Sequence, residues 1–256
     1  MKVTLLQTDI QWADESSNLA AAEMLIRKSE EAALYLLPEM FSTGFVTNPE
    51  DIDGGLPSAS ACEAVRWMHR VSSELSAAVA GSVAVKADDG TFRNRFYFVT
   101  PDGRESFYDK HHLFTYGNED LHYTGGKSRT IVEWGGVRFM LQVCYDLRFP
   151  VFSRNSLREP YDCCIYVASW PSTRRRVWDS LLLARALENQ CYVLGVNRIG
   201  DDPKCHYDGG TRAIDARGNV VAMAENEVVQ SMTIELDMER LAAFREKFPV
   251  LRDADV

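Results

Sequence analysis

The change in hydrophobic period along the chain is the feature that most restricts its fold. Two early segments, 14–32 and 61–78, repeat apolar side chains about every 3.6 residues, as amphipathic helices do. Two later segments, 173–190 and 238–248, predict further helices. Apolar runs and period-2 alternation predict strands at 2–10, 34–40, 77–85, 91–100, 105–110, 130–134, 137–143, 161–170 and 191–199. Helices and strands therefore mix along the whole chain, which predicts the α/β class.

The last strands and the connections complete this architecture. Segments 211–223 and 228–237 are typical of a β-meander that precedes the last helix. No Pro- or Ser-rich linker, internal repeat or low-complexity tract divides the chain of 256 residues. One domain over residues 1–256, with two sheets between helical layers, is the simplest prediction.

Composition excludes some partners and locations. The formal net charge of −9 argues against a nucleic acid or an anionic membrane surface as partner. The N-terminal MKVTLLQTDIQ lacks the long apolar region of a signal peptide, and no window approaches the ~18 apolar residues of a membrane span. We therefore expect a cytoplasmic protein with six reduced cysteines, and the absence of a C-x-x-C pair gives no support to a metal site.

A polar or reactive residue stands at three predicted strand exits. Glu39 follows LYLLP, Lys110 follows ESFYD and Cys144 follows FMLQV. Burying a carboxylate, an ammonium and a thiol is costly unless they pair with one another. Each alone is an ordinary residue at a loop edge, but together they supply a nucleophile, a base and a cation for a developing oxyanion.

Three segments carry a family resemblance. LLPEMF, YDKHHLF and VCYDLRFP resemble, in order and spacing, the signature segments of the nitrilase superfamily, the carbon–nitrogen hydrolases. The flanking NRFYFVT, ASWP and FPVLRDAD are similar as well, so the resemblance spans essentially the whole chain. It implies a four-layer αββα sandwich, assembled as a homodimer or a higher homo-oligomer, and a reaction that uses neither a cofactor nor a metal.

The resemblance also implies a mechanism. Glu39 would take the proton of Cys144, whose sulfur attacks an amide carbonyl, while Lys110 and the backbone N–H of Tyr145 hold the oxyanion. Glu39 would then protonate the departing ammonia and activate the water that hydrolyses the thioester. Glu119 resembles a second glutamate that the family places beside the lysine, and we expect it to orient Lys110.

The residues around the cysteine favour one branch of the family. Cys-Tyr-Asp-Leu-Arg resembles the amidases that act on small ω-amides of dicarboxylic acids, including 2-oxo acids. Nitrilases usually carry Cys-Trp-Glu there, and D-specific carbamoyl hydrolases carry two adjacent arginines. Both activities remain alternatives, as does a non-catalytic interaction protein on the same scaffold.

A second group of residues is predicted to bind the substrate. Phe45 and Trp170 would wall the pocket, and one of three consecutive arginines, with Arg174 as first choice before Arg175 and Arg176, would meet a substrate carboxylate.

The remaining polar residues are expected to be structural. Cys163 and Cys164 are predicted core residues, and His111 and His112 are expected to pack or cap. The Cys205–His206 pair lacks further ligands, and Asp146 is predicted to pair with Arg148 beside Cys144.

Overall fold

The computed structural model describes residues 1–253. These residues contain four α-helices: α1 Glu15–Lys28, α2 Glu63–Leu75, α3 Arg175–Asn189 and α4 Met238–Lys247. They also contain 14 strands: β1 Lys2–Gln7, β2 Leu34–Leu36, β3 Ala78–Lys86, β4 Phe92–Val99, β5 Glu105–Asp109, β6 Ile131–Trp134, β7 Val137–Val143, β8 Cys163–Ala168, β9 Tyr192–Asn197, β10 Ile199–Asp201, β11 His206–Asp208, β12 Arg212–Ile214, β13 Val220–Met223 and β14 Gln230–Glu235. The end of the FPVLRDAD segment, at residues 254–255, lies outside the described residues.

The strands form two six-stranded sheets and one short hairpin. The first sheet has the order β14-β1-β2-β3-β4-β5, and the second has the order β13-β12-β9-β8-β7-β6. The neighbours β1, β2 and β3 are parallel, as are β7, β8 and β9, and the outer strands are antiparallel. The hairpin joins β10 to β11.

Two hydrophobic clusters separate the layers. The larger lies between the sheets, where Phe98 of β4 contacts Phe139 of β7 with ring centroids 5.9 Å apart, and it continues to α3 through Trp178. The second cluster packs α1 and α2 on the outer face of the first sheet, with Ile26 and Met68 buried against it. Alternating side chains of β3 and β4 serve both clusters, as period-2 strands require. The predicted αββα sandwich is therefore confirmed.

The predicted β-meander at the end of the chain is wrong. Strand β13 pairs with β12 in the second sheet, but β14 crosses to the first sheet and pairs antiparallel with β1. Thr4 and Thr233 join their hydroxyls across this pair at 2.8 Å. The alternation of apolar and polar residues in 228–237 is compatible with either sheet. The pairing is settled by β1, whose free edge accepts β14. The β10–β11 hairpin was not predicted, because its three-residue strands are too short to show a period.

Candidate active site

Three strand exits meet between the two sheets. Glu39 follows β2 and Lys110 follows β5 in the first sheet, while Cys144 follows β7 in the second. All three are buried, with Cys144 9% exposed. The predicted set of carboxylate, ammonium and thiol is therefore brought together by the packing of one sheet on the other.

The turn after β2 fixes the carboxylate. Met40, next to Glu39, has a φ of +44°, a left-handed conformation that costs energy for a residue with a side chain. Its N–H donates to Ser82 Oγ at 2.9 Å, which holds the turn against β3. Gly81 allows this approach, because a Cβ there would lie 2.8 Å from Leu37 Cβ. Backbone strain and close packing thus orient the Glu39 side chain.

Lys110 lies between two buried carboxylates. Its Nζ donates to Glu39 Oε1 at 2.9 Å, to Glu119 Oε2 at 2.8 Å and to Glu119 Oε1 at 3.1 Å. Glu119 Oε2 also accepts from the N–H of Phe114 at 2.7 Å. The structure thus places Glu119 beside the lysine.

A buried amide that the sequence analysis did not single out joins the same carboxylates. Asn94 Nδ2 donates to Glu39 Oε1 at 2.8 Å and to Glu119 Oε1 at 3.1 Å. The available signal was alternation along β4, which puts Asn94 on the same inward face as Phe96 and Phe98.

Charge and burial set the protonation of this cluster. Burial alone would lower the pKa of Lys110, but the carboxylates of Glu119 and Glu39 outweigh it and raise that pKa above its usual range. Burial raises the pKa of Glu119, an effect that Lys110 opposes and Glu39 reinforces. Burial also raises the pKa of the Cys144 thiol well above its usual range, and the Glu39 charge raises it further. Lys110 is therefore an ammonium, and Cys144 a neutral thiol near neutral pH.

The candidate nucleophile, Cys144, occupies a braced turn. Cys144 has a φ of +45° and begins a short 3₁₀ helix, Cys144–Arg148. Asp146 Oδ2 accepts from the N–H of Val143 at 3.0 Å and from the Tyr108 hydroxyl at 2.7 Å. Arg185 Nη2 donates to the carbonyl of Leu147 at 2.6 Å. This strained conformation is thus held from several sides, as expected at a functional turn.

The predicted pair of Asp146 with Arg148 is wrong. Asp146 points inward, and its Oδ1 accepts from the backbone N–H and from Nδ1 of His112, at 3.0 and 2.8 Å. Arg148 points the other way, with its guanidinium 5.1 Å from the Trp170 ring centroid. Two positions apart in a 3₁₀ turn, the side chains lie on different faces.

Ser169, which sequence reasoning also missed, links Glu39 and Cys144. Its N–H donates to Glu39 Oε2 at 2.8 Å, and its carbonyl lies 4.0 Å from Cys144 Sγ. Glu39 thus directs Oε1 to Lys110 and Oε2 to the side of the thiol.

Cys144 opens onto a cavity of about 300 Å³. Its aromatic walls include the predicted Phe45 and Trp170, together with Tyr145 and Phe114. Glu39, Lys110 and Glu119 lie behind the thiol and are closed off from solvent. The cavity therefore exposes the Cys144 thiol to a small ligand while Glu39 and Lys110 remain desolvated.

Of the three arginines, only Arg174 lines the cavity. Its guanidinium lies 5.3 Å from the Phe114 ring centroid. Arg175 instead pairs with Asp179 and Asp208, at 2.9 and 3.3 Å, and Arg176 is exposed away from the cavity. Arg148 and Lys204 supply two further cations to the wall.

The remaining predictions concern structural residues and metals. Cys163 and Cys164 are fully buried in the core, and the His111 and His112 rings stack on Phe152 and Phe149. Within residues 1–253, no group of three or more His, Cys, Asp or Glu side chains is arranged to hold a metal ion. No helix of that range has the length and apolar character needed to cross a bilayer.

Known proteins resemble this chain along its whole length. An omega-amidase, YafV from Yersinia enterocolitica, is 44% identical over 256 residues, which cover 100% of this chain and 97% of the relative. A 2-oxoglutaramate amidase from Bacillus subtilis (strain 168) is 33% identical, with coverage of 98% and 96%. The crystal structure of XC1258 from Xanthomonas campestris, a CN-hydrolase superfamily protein with an arsenic adduct in its active site, matches with a TM-score of 0.93 at 38% identity, with coverage of 100% and 97%.

The family itself matches almost end to end. The model of the carbon-nitrogen hydrolase family covers residues 2–246, which include every strand exit of the site. The resemblance read from LLPEMF, YDKHHLF and VCYDLRFP is thereby confirmed. The chain belongs to the carbon–nitrogen hydrolase family.

Proposed function

We propose that this protein hydrolyses small ω-amides of dicarboxylic acids, 2-oxo acids among them, to the acid and ammonia through a thioester on Cys144. One observation carries the proposal: Cys144 lines a cavity with three cations in its wall, and a buried Glu39–Lys110–Glu119 cluster lies behind it. The names of the relatives from Y. enterocolitica and B. subtilis support the same substrate class.

In the first step Cys144 Sγ attacks the amide carbonyl carbon as its proton passes to Glu39. The raised pKa of the Cys144 thiol means that no free thiolate waits in the cavity, so the base must act during the attack. The side of Glu39 that faces Ser169 and the thiol, Oε2, is suited to receive the proton.

Lys110 becomes available to the oxyanion as Glu39 is protonated. Before the attack, its ammonium donates to three carboxylate oxygens, so each of its three protons is engaged. A neutral Glu39 is a weaker acceptor, and the ammonium can then turn one proton toward the new negative charge. The N–H of Tyr145 would supply the second donor.

The second half of the reaction reverses the proton path. Glu39 gives its proton to the leaving nitrogen as the C–N bond breaks, which releases ammonia and leaves the thioester. Glu39 then takes a proton from the attacking water, and collapse of the second tetrahedral species returns Cys144 to its thiol with release of the carboxylic acid.

The cavity cations suit a substrate with a free carboxylate. Within residues 1–253 neither Arg174, Arg148 nor Lys204 forms a salt bridge, whereas Arg175 is neutralised by Asp179 and Asp208. A charge-assisted bond from Arg174 to the far carboxylate would favour such substrates by about ten- to a hundredfold.

Paired substrates of equal length test this specificity. We expect a higher kcat/KM for the ω-amide of a five-carbon 2-oxo dicarboxylic acid than for the neutral amide that lacks its carboxylate. Arg174→Ala should remove most of that preference and spare the neutral amide, while the exposed Arg176→Ala serves as the matched control. Equal kcat/KM for both substrates in the unmodified protein would contradict the assignment, and equal turnover of nitriles or carbamoyl compounds would favour the alternatives.

The proposed location is the cytoplasm. All six cysteines are free thiols in the structure, which is the state that a reducing compartment maintains and that a cysteine nucleophile needs.

A further inference from the structure

The side-chain amide of Asn94 donates hydrogen bonds to two buried carboxylates. Its Nδ2 bonds Oε1 of both Glu39 and Glu119, and Lys110 Nζ bonds the same two oxygens. The four atoms form a closed ring of two donors and two acceptors. Asn94 is itself buried, with an exposed fraction of 1%.

This ring fixes which oxygen of the base remains for chemistry. Glu39 Oε1 accepts from both Asn94 and Lys110, at 2.8 and 2.9 Å. Its Oε2 accepts from the N–H of Ser169 at 2.8 Å, on the side of Cys144. If Asn94 did not hold Oε1, rotation about the last side-chain bond of Glu39 would redistribute these contacts.

The carbonyl oxygen of the Asn94 amide indicates that this side chain serves as a donor. Asn94 Oδ1 is buried and has no hydrogen-bond partner within residues 1–253. A buried amide kept for packing alone would normally satisfy both ends, because an orphaned acceptor costs free energy. Two carboxylates on one side require the NH₂ group there, so only the donor function of Asn94 is used.

The charges explain why a neutral donor is needed. Two carboxylates face a single ammonium, which leaves one excess negative charge in a buried space. The other titratable groups that face it, the Cys144 thiol and the Tyr123 hydroxyl, are neutral near pH 7, since burial raises the pKa of both. A second cation would cancel the excess charge and weaken Glu39 as a base, whereas an amide stabilises the charge and leaves Glu39 able to accept a proton.

We infer that Asn94 is a positioning residue, which keeps Glu39 turned toward Cys144 by donating hydrogen bonds to the carboxylates of both Glu39 and Glu119. This inference rests on the roles given above to Glu39 and Cys144. Asn94 does not line the cavity, so it acts through Glu39 and not on the substrate.

Two variants of similar size test the inference. Asn94→Leu removes the donor, and Asn94→Asp replaces it with a third carboxylate. We expect kcat to fall about ten- to a hundredfold with KM within about twofold. In the pH profile of kcat/KM, the midpoint of the rise on the acid side (the acid limb) should move up by about one pH unit in Asn94→Leu, because the loss of the donor favours protonated Glu39. It should move further in Asn94→Asp, where a negative charge is added as well.

A second readout needs no amide substrate. The rate at which iodoacetamide alkylates Cys144, followed by intact mass against pH, should show the same upward shift of its acid limb. Asn155→Ala is the matched control: it removes another fully buried amide, bonded to Tyr161 and Asn189, and should lower the unfolding temperature without moving the limb.

The outcomes separate the two proposals. An unshifted acid limb in folded Asn94 variants would overturn the inference, even if they are slow or unstable. If Asn94→Leu does not fold, Asn94→Asp carries the test alone. Absence of ω-amide turnover in the unmodified protein would refute the proposed function, while the alkylation profile would still decide the role of Asn94.

Discussion

At the scale of single residues, the site contains buried charges whose desolvation cost is offset only because they are paired. Lys110 and the carboxylates of Glu39 and Glu119 are all removed from water, and each compensates the desolvation of the others. Removing one partner should therefore affect stability and chemistry together, with a dependence on pH that the pKa shifts determine.

Lys110→Met tests this balance. At pH 7 the variant should lose about 3–5 kcal/mol of unfolding free energy, because two buried carboxylates remain without a cation. Burial already raises the pKa of Glu119, so the folded variant binds protons more readily than the unfolded chain. Its stability should therefore recover as pH falls and decline as pH rises through the raised pKa. Urea unfolding from pH 4 to 8 measures this, and a loss that is constant with pH would contradict the account.

The sequence singled out the candidate site residues but not all of their contacts. Glu39, Lys110 and Cys144 stand out because each follows an apolar run, and the family resemblance added Glu119. The contact between Asp146 and His112, and the roles of Ser169 and Asn94, depend on side-chain directions and on partners far away in the sequence. The sequence suggested an ion pair between Asp146 and Arg148, because their opposite charges can be read from it whereas the directions of their side chains cannot.

At the scale of elements, α1 and α2 are joined by a charge network on the outer face. Glu23 of α1 accepts from Arg70 of α2 at 2.6 Å, from Arg27 at 2.7 Å and from Trp67 Nε1 at 2.9 Å. The hydrogen bond from Arg70 is the largest cause that lowers the pKa of Glu23 to about 2. The network should therefore stabilise the contact between the helices over most of the pH range.

Glu23→Gln should expose this contribution. A carboxylate with a depressed pKa stabilises the fold above its unfolded value, near 4.5, and loses that effect as pH falls toward about 2. At pH 7 we expect the variant to be less stable by roughly 1 kcal/mol, since the group is only partly buried. Thermal unfolding at both ends of this window should show the difference at pH 7 and its absence near pH 2. A difference that persists at pH 2 would show that the network is not the cause.

The elements themselves were predictable where their period was long enough to be seen. The four helices and most strands match the predicted segments within a few residues, because burial on one face or on both imposes the pattern. The pairing of β14 with β1 was not predictable, since an alternating strand fits any free sheet edge. The closeness of β12, β13 and β14 in the sequence suggested a meander, whereas in the structure β14 becomes an edge strand of the first sheet.

At the scale of the whole molecule, the distribution of charge matters more than its sum. The chain carries a formal charge of −9, yet the lining of one cavity includes three cations, Arg148, Arg174 and Lys204, against one carboxylate, Asp202. An anionic substrate is repelled at long range and attracted at short range. We therefore expect kcat/KM for the ω-amide of a dicarboxylic acid to rise when added salt screens the distant repulsion.

We predict that the sandwich assembles as a homodimer through its helices. Leu183 and Leu187 of α3 are 38% and 48% exposed, which is high for apolar residues on a helix that also packs on the core. Light scattering at micromolar concentration should give twice the 28.9 kDa of one chain. Leu187→Asp should shift the mass toward one chain, and a strict monomer in the unmodified protein would refute the dimer while leaving the chemistry intact.

The central claim is that Cys144 carries the acyl group during C–N hydrolysis. Rapid quenching of the unmodified protein with an ω-amide, followed by intact-mass analysis, should show the mass of the protein plus the acyl group. Peptide mapping should place that group on Cys144, and one equivalent of ammonia should appear at the same rate. Cys144→Ala should keep its fold, form no adduct and release no ammonia. Steady ammonia release from Cys144→Ala, or an acyl group on another residue, would contradict the account.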